Sequence, residues 1–264
     1  MRKSILSKKI TSILGGVGLA LAANHANALG VDQVNFGVFT GTTVSDSSFA
    51  GKKSWADQGA GGFGWVHTGA SFARLQVGNA AQISSGALYD ITITMSAAAV
   101  SGMDNPAFSV WTSGTSDFNL YATSIGLHVF SPVRGPSDGG ASDTPALASI
   151  GIVDFIGYAN SGMSFTNGDG DSVTSGRVDV SPFVNAALSS WSVGADFATL
   201  NLKGLKSGYY LMAAGGSCYD GVCGSGTNFN MQVSGSPVPV PGAVWLFGSA
   251  MTSLVGLNQR KRKA

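Results

Sequence analysis

Tyr89-Asp90-Ile91-Thr92-Ile93-Thr94-Met95 alternates apolar and polar residues without a break. A side-chain period of two puts Tyr89, Ile91, Ile93 and Met95 on one face of an extended chain and Asp90, Thr92 and Thr94 on the other. The stretch therefore reads as a half-buried strand. The pattern returns near the other end of the body, where Phe229, Met231 and Val233 alternate with Asn228, Asn230 and Gln232. Val34, Phe36 and Val38 form another stripe, as do Ile125, Leu127 and Val129, and further strands are expected at 72–77, 108–111, 150–158, 197–202 and 209–214. An isolated strand cannot bury its apolar face, so two sheets must share these stripes. The expected fold is all-β, an antiparallel β-sandwich or jelly roll over residues 29–235. One short helix is expected from Ser181-Pro182, a serine N-cap followed by a first-turn proline, with Phe183, Ala186, Ala187 and Trp191 on one face.

Composition narrows the class. The chain of 264 residues is 44% apolar and only 11% charged, which excludes a disordered polyelectrolyte. The net charge of +1 conceals a segregation. Four of the fifteen basic residues lie in the first nine positions and four more are Arg260, Lys261, Arg262 and Lys263. The body between them holds seven basic residues against fourteen Asp, and there is no Glu. An acidic body is the wrong partner for nucleic acid, which calls for a basic face.

The two ends read as addresses. Residues 1–28 join a basic start, an apolar run from Ile10 to Ala23 and the small-residue site Ala26-Asn27-Ala28, the three parts of a secretory signal peptide whose apolar segment forms the signal helix. Cleavage is expected after Ala28, with export by the general secretion machinery. At the other end, residues 236–264 combine a proline-rich spacer, an uncharged stretch and a basic terminus. From Val238 to Leu257 no charge occurs, which is long enough for a transmembrane helix, and the basic cluster is expected to stay cytoplasmic.

Val238-Pro239-Val240-Pro241-Gly242-Ala243-Val244-Trp245-Leu246-Phe247-Gly248-Ser249, followed by Gly256-Leu257 and Arg260 to Lys263, resembles the PEP-CTERM sorting signal of Gram-negative bacteria, in its V-P-x-P variant. Val240 stands where the name-giving glutamate would sit, and Gly242 replaces the usual alanine. The resemblance covers about 28 residues and implies handling rather than activity. The C-terminal span would hold the precursor at the inner membrane until an exosortase-like membrane protease recognises and removes the tail, and the protein would then reach the cell surface or extracellular matrix. Within the body, Gly64-Trp65-Val66-His67-Thr68 and Asn105-Pro106-Ala107-Phe108-Ser109-Val110-Trp111 resemble stretches of other such ectodomains. Residues 205–211 with Gly215-Gly216 and 229–233 are similar to the last hairpin of bacterial pre-peptidase C-terminal β-sandwiches.

Candidate chemistry is sparse. Asn167, Asp169 and Asp171 place oxygens at every second position, as a calcium loop does, so a structural calcium ion is the one cofactor the sequence suggests. Ser172 and Val178 break the EF-hand template, and Asn, Gly and Asp are equally the residues of a solvated turn. Asp138 and Asp143 in the preceding loop could contribute further ligands. Gly135-Pro136-Ser137-Asp138-Gly139 matches G-x-S-x-G, yet with 38 glycines and 35 serines such a match is expected by chance, and no helix pattern follows it. His67 and His128 lack a third clustered ligand for zinc and read as structural. Cys218 and Cys223, in C-x4-C around an Asp-Gly turn, read as a local disulfide in an exported chain. Trp55, Trp65, Trp111 and Trp191 read as core or, alternatively, as rings stacked on sugar. The expectation is a non-enzymatic surface or matrix protein with a structural or adhesive role. A polysaccharide- or calcium-binding module is the alternative, and a secreted serine hydrolase a distant third.

Overall fold

The alternating stretch around Ile91 is the strand β4 (Leu88–Ala97), and its apolar residues are buried while Asp90, Thr92 and Thr94 are only partly covered. It is the middle strand of a five-stranded antiparallel sheet in a computed structural model that describes residues 33–51, 71–97, 106–118, 148–162, 164–166, 172–216 and 227–239. In that sheet β4 lies between β11 (Phe197–Lys206) and β13 (Thr227–Pro237), with β10 (Ser190–Gly194) and β2 (Val44–Gly51) at the edges. Register is fixed by the stripes: Ile93 stands opposite both Leu200 and Val233, and Met95 opposite both Ala198 and Met231. A one-residue slip would turn every apolar side chain outward.

The second sheet has six strands, in the order β1 (Gln33–Phe39), β3 (Ser71–Val77), β12 (Gly208–Gly216), β5 (Pro106–Gly114), β6 (Asp154–Asn160), β9 (Gly176–Val178). All its pairs are antiparallel except β1 with β3. A separate ribbon pairs β7 (Phe165–Thr166) with β8 (Ser172–Val173). Between the two large sheets lies a core in which Leu75, Val110, Ile156 and Met212 of one meet Ile91, Ile93, Leu200 and Met231 of the other. A second cluster covers the opposite face of the six-stranded sheet, where Trp111, Phe155, Tyr158 and Leu211 pack beneath Phe118, Ile150, Ile152 and Val173. The all-β sandwich is thus present, with the middle strands β5 and β6 of one sheet buried on both faces.

Three local expectations change. Val38 does not continue the stripe of Val34 and Phe36; it is half exposed and Phe39 is buried instead. The register between β1 and β3 shifts between Asn35 and Val38, with Gly37 at φ 74°, so one extra residue reverses the phase. The helix expected at Ser181 does not form. The Ser181 hydroxyl accepts from the Phe183 N–H at 3.2 Å, as a cap would, but the Asn185 N–H donates to the Lys203 carbonyl at 2.8 Å, which ties the chain to β11. What remains is one 3₁₀ turn at Ala186–Leu188, and Trp191 lies in β10. The described α-helix is α1 (Ala80–Ser85), closed by a capping box in which Asn79 and Gln82 exchange side chain-to-backbone bonds of 3.0 and 2.8 Å. The expected closing hairpin is also replaced, because β12 and β13 belong to different sheets.

Candidate functional site

The two strand ends that meet at β4 and β13 define one end of the sandwich. Lys206 stands opposite Leu88, Pro237 opposite Tyr89, and Gly208 opposite Val77. The Val238 N–H then donates to the Leu88 carbonyl at 2.8 Å, which holds the departing chain against β4. Residues 235–239 are exposed. At Gly235 the backbone takes φ 145° and passes so close to β4 that a Cβ would fall 2.1 Å from the Asp90 carbonyl oxygen, room that only glycine leaves. The start of the proline spacer is therefore an ordered, accessible extension of a sheet strand.

Beside this exit lies an open cavity of about 510 Å³ lined chiefly by Leu88, Val180, Pro182, Val184, Ala186 and Ala187, with Lys206 at its border. Its rim is unusually apolar for a surface. Val180 is 93% exposed and Leu188, next to Ala187, is 69% exposed. The charged groups nearby are engaged. Asp90 accepts from the Gly204 N–H and from Lys203 Nζ, both at 3.0 Å, and the Gly204 bond is the first cause holding its carboxyl below the usual range. Arg177 pairs with Asp179 at 2.8 Å, Asp154 accepts from the Ser181 hydroxyl at 2.7 Å, and the Lys206 ammonium lies 5.7 Å from the centre of the Phe183 ring. Sequence reading missed this cluster because Leu88 of β4, Val180 after β9 and Leu188 of the 3₁₀ turn come from three separate stretches and share no period.

The outer face of the five-stranded sheet is polar and uncharged in its middle. Ser45, Gln232, Thr94, Thr199 and Ser192 are register partners, one from each strand. Ser234, Thr92, Asn201 and Ser190 form the adjoining row. Thr92 donates to the Asn201 side chain at 2.9 Å, and the Thr94 and Thr199 hydroxyls are 3.2 Å apart. On the outer side of the other sheet, the Arg74 guanidinium grips Asp117 through two bonds of 2.7 and 2.6 Å and lies 5.0 Å from the centre of the Tyr209 ring. Its hydrogen bond is the first cause that holds the Asp117 carboxyl below its ordinary value. Tyr210 is fully buried, and burial raises its phenol far above the ordinary value.

Of the residues singled out from sequence, Val238 and Pro239 are the described members of the sorting motif. Ala26, Ala28, Val240, Pro241, Trp245, Arg260 to Lys263, Cys218, Cys223, Asn167, Asp169, Asp171, Asp138, Asp143, Ser137, His67, His128, Trp55 and Trp65 lie outside the described residues. The expected calcium residues fall between β7 and β8, which pair through Thr166 and Ser172. Among the described residues, no group of three or more His, Cys or Asp could hold a metal ion, and no helix is long and apolar enough to cross a membrane. Trp111 is completely buried, so it is core and not a sugar platform. Trp191, 42% exposed, lies on Gly176, where a Cβ would fall 2.4 Å from the indole. It closes the edge between β10 and β9.

No family model matches the chain, and no curated protein does. A solved structure of the secreted, copper-binding protein MopE from Methylococcus capsulatus, soaked with mercury, aligns with 76% of this chain and 86% of its own, at 13% identity and a TM-score of 0.38. That likeness is too distant to carry a copper site, or any other property, to this chain.

Proposed function

We propose that the chain is an exported protein of the cell surface or extracellular matrix, held at the inner membrane by its C-terminal segment until an exosortase-like protease removes that segment. The β-sandwich that remains serves a structural or adhesive role without catalysis of its own. The observation that carries this reading is the sequence of the two ends: a signal peptide finishing at Ala28 and a Val238-Pro239-Val240-Pro241 spacer followed by an apolar run and four basic residues. The exposed, strand-anchored exit at residues 235–239 supports it, since a processing protease needs an accessible spacer outside the folded body. The test is the intact mass of the protein recovered from its own cells and medium. The reading expects a product that begins after Ala28 and ends near Pro241. A product that runs to Ala264 in every fraction contradicts it.

A second reading, binding of a neutral polysaccharide, is favoured by the outer face of the five-stranded sheet. Five hydroxyl- and amide-bearing side chains cross it in one row, spaced by about 4.8 Å from strand to strand, without a charge among them. Such a row offers hydrogen bonds to a chain of hydroxyls and nothing to attract a polyanion. Titration with neutral and with anionic glycans checks it. Retention of neutral glycans that is lost in Thr94→Asp supports the reading, and equal indifference to both classes contradicts it.

A further inference from the structure

Of the eight exposed large apolar residues among the described ones, four form one group, and Val38, Val153, Trp191 and Phe197 lie outside it. Leu88 and Val180 line the open cavity, Leu188 follows Ala187 of its wall, and Val238 is hydrogen-bonded to Leu88. Four such side chains gather where the chain leaves the sandwich. The opposite end of β4 is closed by the turn at Ala195-Asp196 between β10 and β11, about 27 Å away for eight residue steps of strand.

We infer that this apolar end is a membrane-resting surface, seated on the lipid headgroups of the inner membrane while the precursor is still anchored. The inference rests on the reading of the C-terminal segment as a membrane span. Two observations select lipid as the occupant. First, the tether is short: Val238 is fixed to Leu88, and only Pro239, Val240 and Pro241 separate it from the apolar run at Gly242. Four residues of extended, proline-rich chain reach about 12 Å, so the end of β4 is held within roughly two headgroup-layer thicknesses of the apolar run's start. Second, the chemistry of the end suits that layer. The acids beside it are held by Gly204, Lys203, Arg177 and Ser181, while Val180 and Leu188 point out and Lys206 stands at the border, where an ammonium meets lipid phosphate. Each side chain adds little alone, but the tether supplies the effective concentration that makes weak contacts persistent. Release of the tail then frees the patch from the membrane, because the tether that held it there is gone.

The test uses the full chain, exported with its own leader and carrying Cys218→Ser and Cys223→Ser so that an introduced thiol is unique. Val180→Cys, Leu188→Cys and, at the far end, Ala195→Cys each receive an environment-sensitive dye, and the proteins are placed in vesicles of phosphatidylethanolamine and phosphatidylglycerol with brominated acyl chains. All three positions are exposed, so the labels leave the core intact, and a retained thermal transition verifies the fold. Quenching about twofold or more stronger at 180 and 188 than at 195 is the expected result for side chains at the headgroup boundary. Equal, weak quenching at all three in a protein that floats with the vesicles overturns the resting surface and leaves the span intact. A chain that does not float with the vesicles overturns both.

Discussion

The two sheets are woven from similar strands, yet their outer faces have opposite fates. Every described position of β5 is buried, while β4 alternates between buried and partly exposed. On the six-stranded sheet, Trp111, Phe155 and Leu211 are roofed by Phe118, Ile150, Ile152 and Val173. Even its polar residues are sealed in: the Thr112 hydroxyl donates to the Tyr209 carbonyl and accepts from the Gly114 N–H, both at 2.9 Å. On the five-stranded sheet, threonines and amides face outward and bond mainly to one another. The difference teaches that one sheet carries the stability of the fold on both of its faces, whereas the other carries it on one and leaves the second free to meet the surroundings.

The largest expected effect is at a tryptophan. Trp111→Ala empties the centre of the roofed face and should cost about 3–5 kcal/mol in urea unfolding. Trp191→Ala, at an edge where the ring is already 42% exposed, should cost about 1 kcal/mol or less. Equal costs would break the comparison. Next in size is the helix cap: Asn79→Ala removes one side of the capping box and should cost about 1 kcal/mol by the same measurement.

A smaller effect depends on pH. Arg74 holds Asp117 below its ordinary pKa, so near pH ~4 the unfolded chain binds more protons than the folded one. The stability from this pair is present above that range and is lost as pH falls through the lowered value. Half exposure of Asp117 screens it and keeps it modest. Asp117→Asn should therefore lower the melting temperature modestly at pH 7, leave it unchanged at pH values below the lowered pKa, and so flatten the acid limb of the profile. An unchanged acid limb would remove the pair from the account. The smallest effect is expected at Tyr89, whose hydroxyl is buried without a hydrogen-bond partner. Tyr89→Phe should be neutral or stabilising by at most ~1 kcal/mol, and a marked loss of stability would show that the hydroxyl is satisfied.

What was legible followed from periodicity. β4 and β13 could be read residue by residue, because each has one wet face and each side chain declares its side. β5 could be recognised as a strand, but a strand buried on both faces carries no phase, so nothing in it announced the roof. Gly37 inverted the reading of Val38, since a bulge shifts phase without changing composition. Ser181-Pro182 carried a helix-start signal that a distant bond from Asn185 to Lys203 overrode. Asn79-x-x-Gln82 carried the true one, in a helix too short for an apolar stripe. The sheet membership of β12 and β13, and the apolar end assembled from Leu88, Val180 and Leu188, arise only when distant strands are paired.

The most direct test of the two-sheet account places the same short charge at the middle of each outer face. Leu211→Asp buries a carboxylate under the roof of the six-stranded sheet, and Thr94→Asp sets one on the open face of the other. Aspartate is a poor strand residue at either site, so the difference in unfolding free energy reports chiefly the burial of the charge together with the lost packing of Leu211. The account predicts that Leu211→Asp loses at least ~3 kcal/mol more than Thr94→Asp, which should keep a melting transition near the parent's. Equal tolerance of both charges, or greater damage at Thr94, would contradict it.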